Sequence, residues 1–206
     1  MKRPTEATVG PQIGATAGAL IARAARDADG DKYQALDFAR LMSRPRFARS
    51  REVRLRDGLR LVSPRRARCG ACETTHVLAP AWLIPRRRDA TEVIGEALRL
   101  AADGLGHRVI ARRLQRPAGT VRGWLRASRQ RAATLRACGS RWAVALDAEM
   151  GAVTPAASEL GDAVEAVMLA VRAWVLKFGP RHTSPWERVV CLTGGQLLAG
   201  QPALPP

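Results

Sequence analysis

Two groups of residues in this sequence have the types and spacing to do chemistry. Between Gly104 and Arg131, the arginines Arg112, Arg113, Arg116, Arg122, Arg126 and Arg129 surround the small residues Ala118, Gly119 and Gly123. A guanidinium fork pairs bidentately with guanine O6 and N7 or with phosphate oxygens, so this group suits duplex DNA. Upstream stand Cys69-x-x-Cys72 and His76. Thiolate and imidazole are zinc ligands, and three of them sit close together here, but a structural site needs four. Zinc is the one cofactor this chain suggests, at an incomplete site. Cys138 and Cys191 lie far along the chain and read as small buried apolar residues.

The arginines need an element to present them. His107–Leu114 reads as a short helix, Gln115–Pro117 as a turn, and Ala118–Arg129 as a second helix. That pattern fits a helix-turn-helix spanning roughly Ala90–Arg131. Ala111 sits where the two helices cross, because only a small side chain lets them approach. Ile110, Leu114, Val121 and Trp124 supply the rest of the motif's core. Pro117 opens the second helix without wasting a donor. The outward side then carries Ala118, Gly119, Arg122, Gly123 and Arg126. Such a helix lies in the major groove with its N-terminal residues against base edges. Arg122 is expected to contact a base, with Gly119, Gly123 and Ala118 allowing close approach. Arg112, Arg113, Arg116, Thr120, Arg126 and Arg129 are expected at phosphates. Gln115 stands where positive φ, and hence glycine, is usual.

Charge points the same way. The chain carries 34 Lys and Arg against 18 Asp and Glu, a net charge of +16. Arg44–Arg136 alone holds 23 basic and seven acidic residues, while the flanks are nearly neutral. A concentrated basic block is the footprint of a polyanion, and counterion release favours nucleic acid. The use of Arg over Lys is explained mostly by a GC-rich coding bias, but the clustering is not. No apolar run approaches the ~18–20 residues of a membrane span. Met1–Gly10 lacks a basic stretch leading into an apolar one. A cytoplasmic protein with no membrane partner is therefore expected.

The remaining elements frame this block. Ala15–Asp27 and Asp31–Met42 could be helical. Glu52–Val62 reads as a β-hairpin turning at Asp57-Gly58, with Val53, Leu55, Leu59 and Leu61 on one face and Arg54, Arg56 and Arg60 on the other. Thr74–Leu78 could be a third strand. A connector with Pro80 and Pro85 leads to a helix over Ala90–Ala102, with Asp89 as its N-cap. Ser140 is placed as the cap of a helix Arg141–Met150, and Ser158 as the cap of Glu159–Phe178. Along the latter, Leu160, Val164, Val167, Met168, Val171, Val175 and Phe178 form a stripe that Leu169 and Leu176 widen. Ser184-Pro185 opens a last helix, Trp186–Thr193. The fold class expected is mainly α: a helix-turn-helix bundle preceded by a small β-hairpin and zinc-ribbon-like segment. The divisions are 1–43, 44–88, 89–136, 137–200 and a tail, 201–206. The apolar C-terminal helices would complete the core or form a homodimer face.

Several strings, taken in order, carry a resemblance: Arg65-Arg66-Ala67-Arg68-Cys69, then Cys72, Thr75-His76-Val77-Leu78 and Arg87-Arg88-Asp89-Ala90. Gly106-His107-Arg108, Ile110-Ala111-Arg112-Arg113-Leu114 and Gly119-Thr120-Val121-Arg122-Gly123-Trp124-Leu125-Arg126 follow. Over about Phe47–Gly195 the chain resembles an uncharacterised family of bacterial transposase-like proteins, in which a zinc-ribbon-like segment precedes a helix-turn-helix. The resemblance implies DNA binding, for instance at the ends of a mobile element. Members commonly carry an upstream Cys-x-x-Cys pair that is absent here around Ala35–Phe38, so Met1–Ser43 reads as a replaced or misread N-terminus.

The resulting expectation is a non-enzymatic, sequence-specific binder of double-stranded DNA. A catalytic transposase is one alternative. Metal-dependent strand transfer needs clustered carboxylates, whereas Asp147, Glu149, Glu159, Asp162 and Glu165 fall on helical segments with no sheet pattern. A basic RNA-binding protein is the other alternative, against which stands the scarcity of aromatic residues for stacking.

Overall fold

The computed structural model describes residues 42–69, 75–180 and 183–199. Five strands precede six helices: β1 Met42–Phe47, β2 Arg51–Leu55, β3 Gly58–Val62, β4 Arg65–Cys69 and β5 Thr75–Leu78, then α1 Thr91–Ala102, α2 His107–Leu114, α3 Ala118–Arg129, α4 Ala132–Leu146, α5 Glu159–Phe178 and α6 Pro185–Leu192. The protein is mainly helical with a small antiparallel β part. Of the expected N-terminal helices only Met42 is described, and it opens β1; the rest lies outside the described residues.

The helices form where apolar residues recur at helical spacing. In α1, Val93, Ile94, Ala97, Leu98 and Ala101 are all buried. In α5, Leu160, Val164, Val167 and Val171 are buried, and Ser158 caps the helix by accepting from Gly161 N at 3.1 Å. The expected widening stops short of Leu176, which is 72% exposed. Ser184 accepts from Glu187 N at 3.2 Å and Pro185 starts α6, as the Ser-Pro pair predicts. Ser140 starts no helix: it lies inside α4, which runs unbroken from Ala132. The buried stripe Leu135, Cys138 and Trp142 carries that helix through the serine. Next to it, Gly139 packs on the backbone of α5, where an added Cβ would lie 2.5 Å from the Ala166 carbonyl carbon.

One apolar cluster runs from Val53 through α1–α6 to Leu197 and Leu198. The connector before α1, read from its prolines as a loop, contributes Leu83 at 0% and Ile84 at 2% exposure. Trp174 and Phe178 meet edge to face, with ring centroids 5.3 Å apart.

The β-hairpin forms but differs in detail from the expectation. Leu55 pairs with Gly58, so the two loop residues are Arg56 and Asp57, not Asp57 and Gly58. A two-residue loop pairs odd with even positions. Val53 therefore faces the same side as Arg60, and Arg54 the same side as Leu59. The expected apolar face is split: Val53 is fully buried, while Leu59 and Leu61 are 64% and 70% exposed. Beyond the hairpin, β1 pairs antiparallel with β4 and β4 with β5, in the order β1-β4-β5.

Candidate nucleic-acid interface

Helices α2 and α3 keep the bounds that their periodicity predicts and are joined by Gln115–Pro117. Gln115 holds φ 52° and ψ 47°, the left-handed conformation. Its N–H donates to Arg112 O at 3.2 Å and the N–H of Arg116 to Ala111 O at 2.9 Å, which closes α2 with a Schellman-type cap. The α1 terminus closes in the same way at Gly104, φ 88°, with Leu105 N bonded to Leu100 O at 3.0 Å. Gln115 does without a side-chain-free residue what Gly104 does with one, at a cost of ~1 kcal/mol.

The inner side of the pair is apolar. Ile110 and Val121 are fully buried, Ala111 is 4% and Trp124 2% exposed, and Leu114 packs partly buried against the same cluster. Each fully buried large side chain contributes about 1.5–3 kcal/mol. Ser128 sits in this packing with its hydroxyl donating to Trp124 O at 3.0 Å. Leu125, which the spacing argument leaves out, is also buried; it widens the inward face of α3.

The outer side of α3 presents Ala118, Gly119, Arg122 and Arg126 exposed, with Thr120 and Gly123 half-buried. Gly119, Arg122, Gly123 and Arg126 are spaced i, i+3, i+4, i+7 and so share one face. A Cβ built at Gly119 or Gly123 would meet nothing within 4 Å. That separates them from Gly139, and from Gly95, where an added Cβ would lie 2.1 Å from the Trp186 ring. Arg112, Arg113 and Arg129 are exposed as well.

Arg116 is placed differently from the phosphate contact expected of it. Its side chain is 9% exposed and all its nitrogens are occupied inside the protein. Nε donates to Asp89 Oδ1 at 2.6 Å, one terminal nitrogen to Leu55 O at 2.6 Å, and the other to Leu114 O and Gln115 O at 3.0 and 3.2 Å. Asp89, expected as the α1 N-cap, instead takes Arg116 on one oxygen and Arg54 on the other, also at 2.6 Å. The N-cap position falls to Ala90, without a side-chain bond. A carboxylate between two guanidiniums is better served there than by backbone N–H groups. The helix-pair turn, the hairpin and the start of α1 are thereby tied at one point.

Near that point Glu96 has its pKa lowered, first by the hydrogen bond from Arg99 and further by the positive field of Arg56 and Arg113.

Of the three candidate zinc ligands, Cys72 lies outside the described residues. Cys69 ends β4 and His76 lies in the adjacent β5, where its register partner is Ala67. No group of three potential ligands gathers among the described residues. The acidic residues of the C-terminal third serve local roles: Asp162 accepts from Ala156 N at 2.7 Å and faces Arg136 at 3.4 Å, and Asp147 accepts from Glu149 N at 3.1 Å. No helix among the described residues is long and apolar enough to cross a membrane. Compared with protein-family models, curated proteins and solved structures, the chain matches none.

Proposed function

We propose that this chain binds double-stranded DNA in a sequence-specific manner, with α1–α3 acting as a helix-turn-helix and α3 as its reading helix. It would serve as a cytoplasmic transcription regulator or as the DNA-binding component of a mobile element, without catalysis of its own. The observation that carries this reading is the pair Gly119 and Gly123. Each costs an exposed helix about 0.5–1 kcal/mol relative to alanine, and neither is needed for packing within the protein. Bare positions flanking Arg122 make sense where the helix backbone must approach an external surface closely. A base edge in the major groove is such a surface, and Arg122 can pair bidentately with guanine there. Arg112, Arg113, Arg126 and Arg129 lie on the same helix pair and supply cations for phosphates. The concentration of basic residues in Arg44–Arg136 supports a polyanionic partner.

The test is selection of bound sites from random duplex DNA, repeated with Arg122→Ala. The expected outcome is a short enriched motif whose preference relaxes at one guanine in the variant, with a loss of ~1–3 kcal/mol. A wild-type protein that enriches nothing beyond what a scrambled basic control enriches would sink the reading.

A further inference from the structure

We infer that the β-ribbon formed by β1–β4 is a second DNA-contacting arm, one that grips the phosphate backbone of the duplex beside the site read by α3. This rests on the DNA-binding reading above and adds a separate surface to it. The β2–β3 hairpin continues the line of the β1–β4 pair, whose strand β4 is also paired with β5. Across the joint between them Ala48 N donates to Pro64 O at 2.7 Å, and the Ser50 and Ser63 hydroxyls bond at 2.7 Å. Of the 28 residues from Met42 to Cys69, ten are arginine and two, Glu52 and Asp57, are acidic. A segment so charged is ill suited to packing along its whole length. Among its described side chains only Val53 and Pro64 are buried. Arg49, Arg56 and Arg66 are exposed and stand in no ion pair among the described residues.

The ribbon is also held in a fixed relation to α3. Arg54 N donates to Arg88 O at 2.7 Å and Ala90 N to Arg54 O at 3.0 Å, while the Arg54 side chain grips Asp89. Arg60 lies over the Trp82 ring at 5.3 Å. Arg116 reaches from the α2–α3 turn to Leu55 O. The ribbon's turn, Arg56 and Asp57, lines one cleft together with Arg113 and Gln115, at the end of α2. An element pinned to the turn that launches α3 adds cations to the same duplex at little further ordering cost. Charge favours the occupant: phosphate oxygens match arginines in excess, whereas a neutral or apolar protein face would leave them uncompensated.

The experiment compares the full-length wild type with the triple variant Arg49→Ala, Arg56→Ala, Arg66→Ala on the selected duplex and on a scrambled duplex, from low to high salt. The same denaturation midpoint in both proteins checks the fold. The expected result is weaker binding of the triple variant to both duplexes by the same factor. Its slope of log K against log salt should be shallower by about 0.9 for each phosphate no longer neutralised, with the sequence preference set by Arg122 kept. Unchanged affinity and slope would overturn the arm. So would a finding that Leu59→Ser with Leu61→Ser turns a dimer into a monomer while leaving the salt slope intact, since the ribbon would then be a self-association face. Failure of the wild type to prefer the selected duplex at all would instead bring down the DNA-binding reading, so the two failures are distinct.

Discussion

Asp89 and Arg116 meet at 2.6 Å with their side chains 2% and 9% exposed, which makes this pair the internal tie between the hairpin, the α2–α3 turn and the start of α1. Arg54 completes it from the solvent side, with 34% of its side chain exposed. Removing one partner of a buried pair leaves the other charged and unmatched. Asp89→Ala is therefore expected to cost about 3–5 kcal/mol. Arg54→Ala should cost clearly less, since water screens that interaction. Denaturant midpoints of the two variants check the order; a smaller loss for Asp89→Ala than for Arg54→Ala would contradict the arrangement.

The helical glycines divide into two kinds, and alanine should tell them apart. Gly119→Ala and Gly123→Ala meet empty space, so each is expected to stabilise the fold by about 0.5–1 kcal/mol. Each should at the same time weaken DNA binding if α3 lies in a groove. Gly139→Ala pushes a methyl into the α5 backbone and is expected to destabilise by about 1–3 kcal/mol. Thermal melts and titrations with duplex on the three variants separate the classes.

At Gln115 the backbone is left-handed and the side chain is exposed. Gln115→Gly relieves strain while leaving the packing intact, so a gain of up to ~1 kcal/mol is expected. Gln115→Val should lose more than that amount, because a β-branched residue fits this conformation poorly. Urea unfolding of both variants provides the check, and equal midpoints would show that the turn carries no strain.

Burial pushes the Cys138 thiol up to about 11 from its ordinary 9.0. The folded chain keeps a proton that the unfolded chain releases near pH 9. Cys138 therefore contributes a loss of stability as pH rises from about 9 to about 11. At pH 8 it should resist iodoacetamide in the folded protein and react in denaturant, as peptide mapping of the alkylated chain would show. Rapid labelling of the folded chain would contradict its burial at 1% exposure.

Periodic segments with clear punctuation are legible in this sequence, and long-range polar pairings are not. The bounds of α2 and α3 follow from apolar spacing and from Pro117, because both effects are local. The caps Ser158 and Ser184 are local as well. Ser140 misleads for the same reason, since a cap signal next to a stronger apolar stripe loses to the packing of α4 on α5. Leu59 and Leu61 look like partners of Val53 until the parity of a two-residue loop puts them on the opposite face. Arg116 reads as one more surface cation because nothing near it in sequence shows that its carboxylate partner stands 27 residues earlier, at Asp89. The candidate site is therefore visible in outline, and the residue that fixes its turn to the rest of the molecule is not.

Gly95 leaves the space on α1 that the Trp186 indole of α6 fills, with an added Cβ only 2.1 Å from the ring. These two positions cannot drift independently in a lineage: a larger residue at one requires a smaller one at the other. A fragment ending before α6 would also leave an indole-sized trench along the back of α1. The three-helix unit is thus not a portable cassette, and grafting it onto another protein would require a substitute ring to fill that trench.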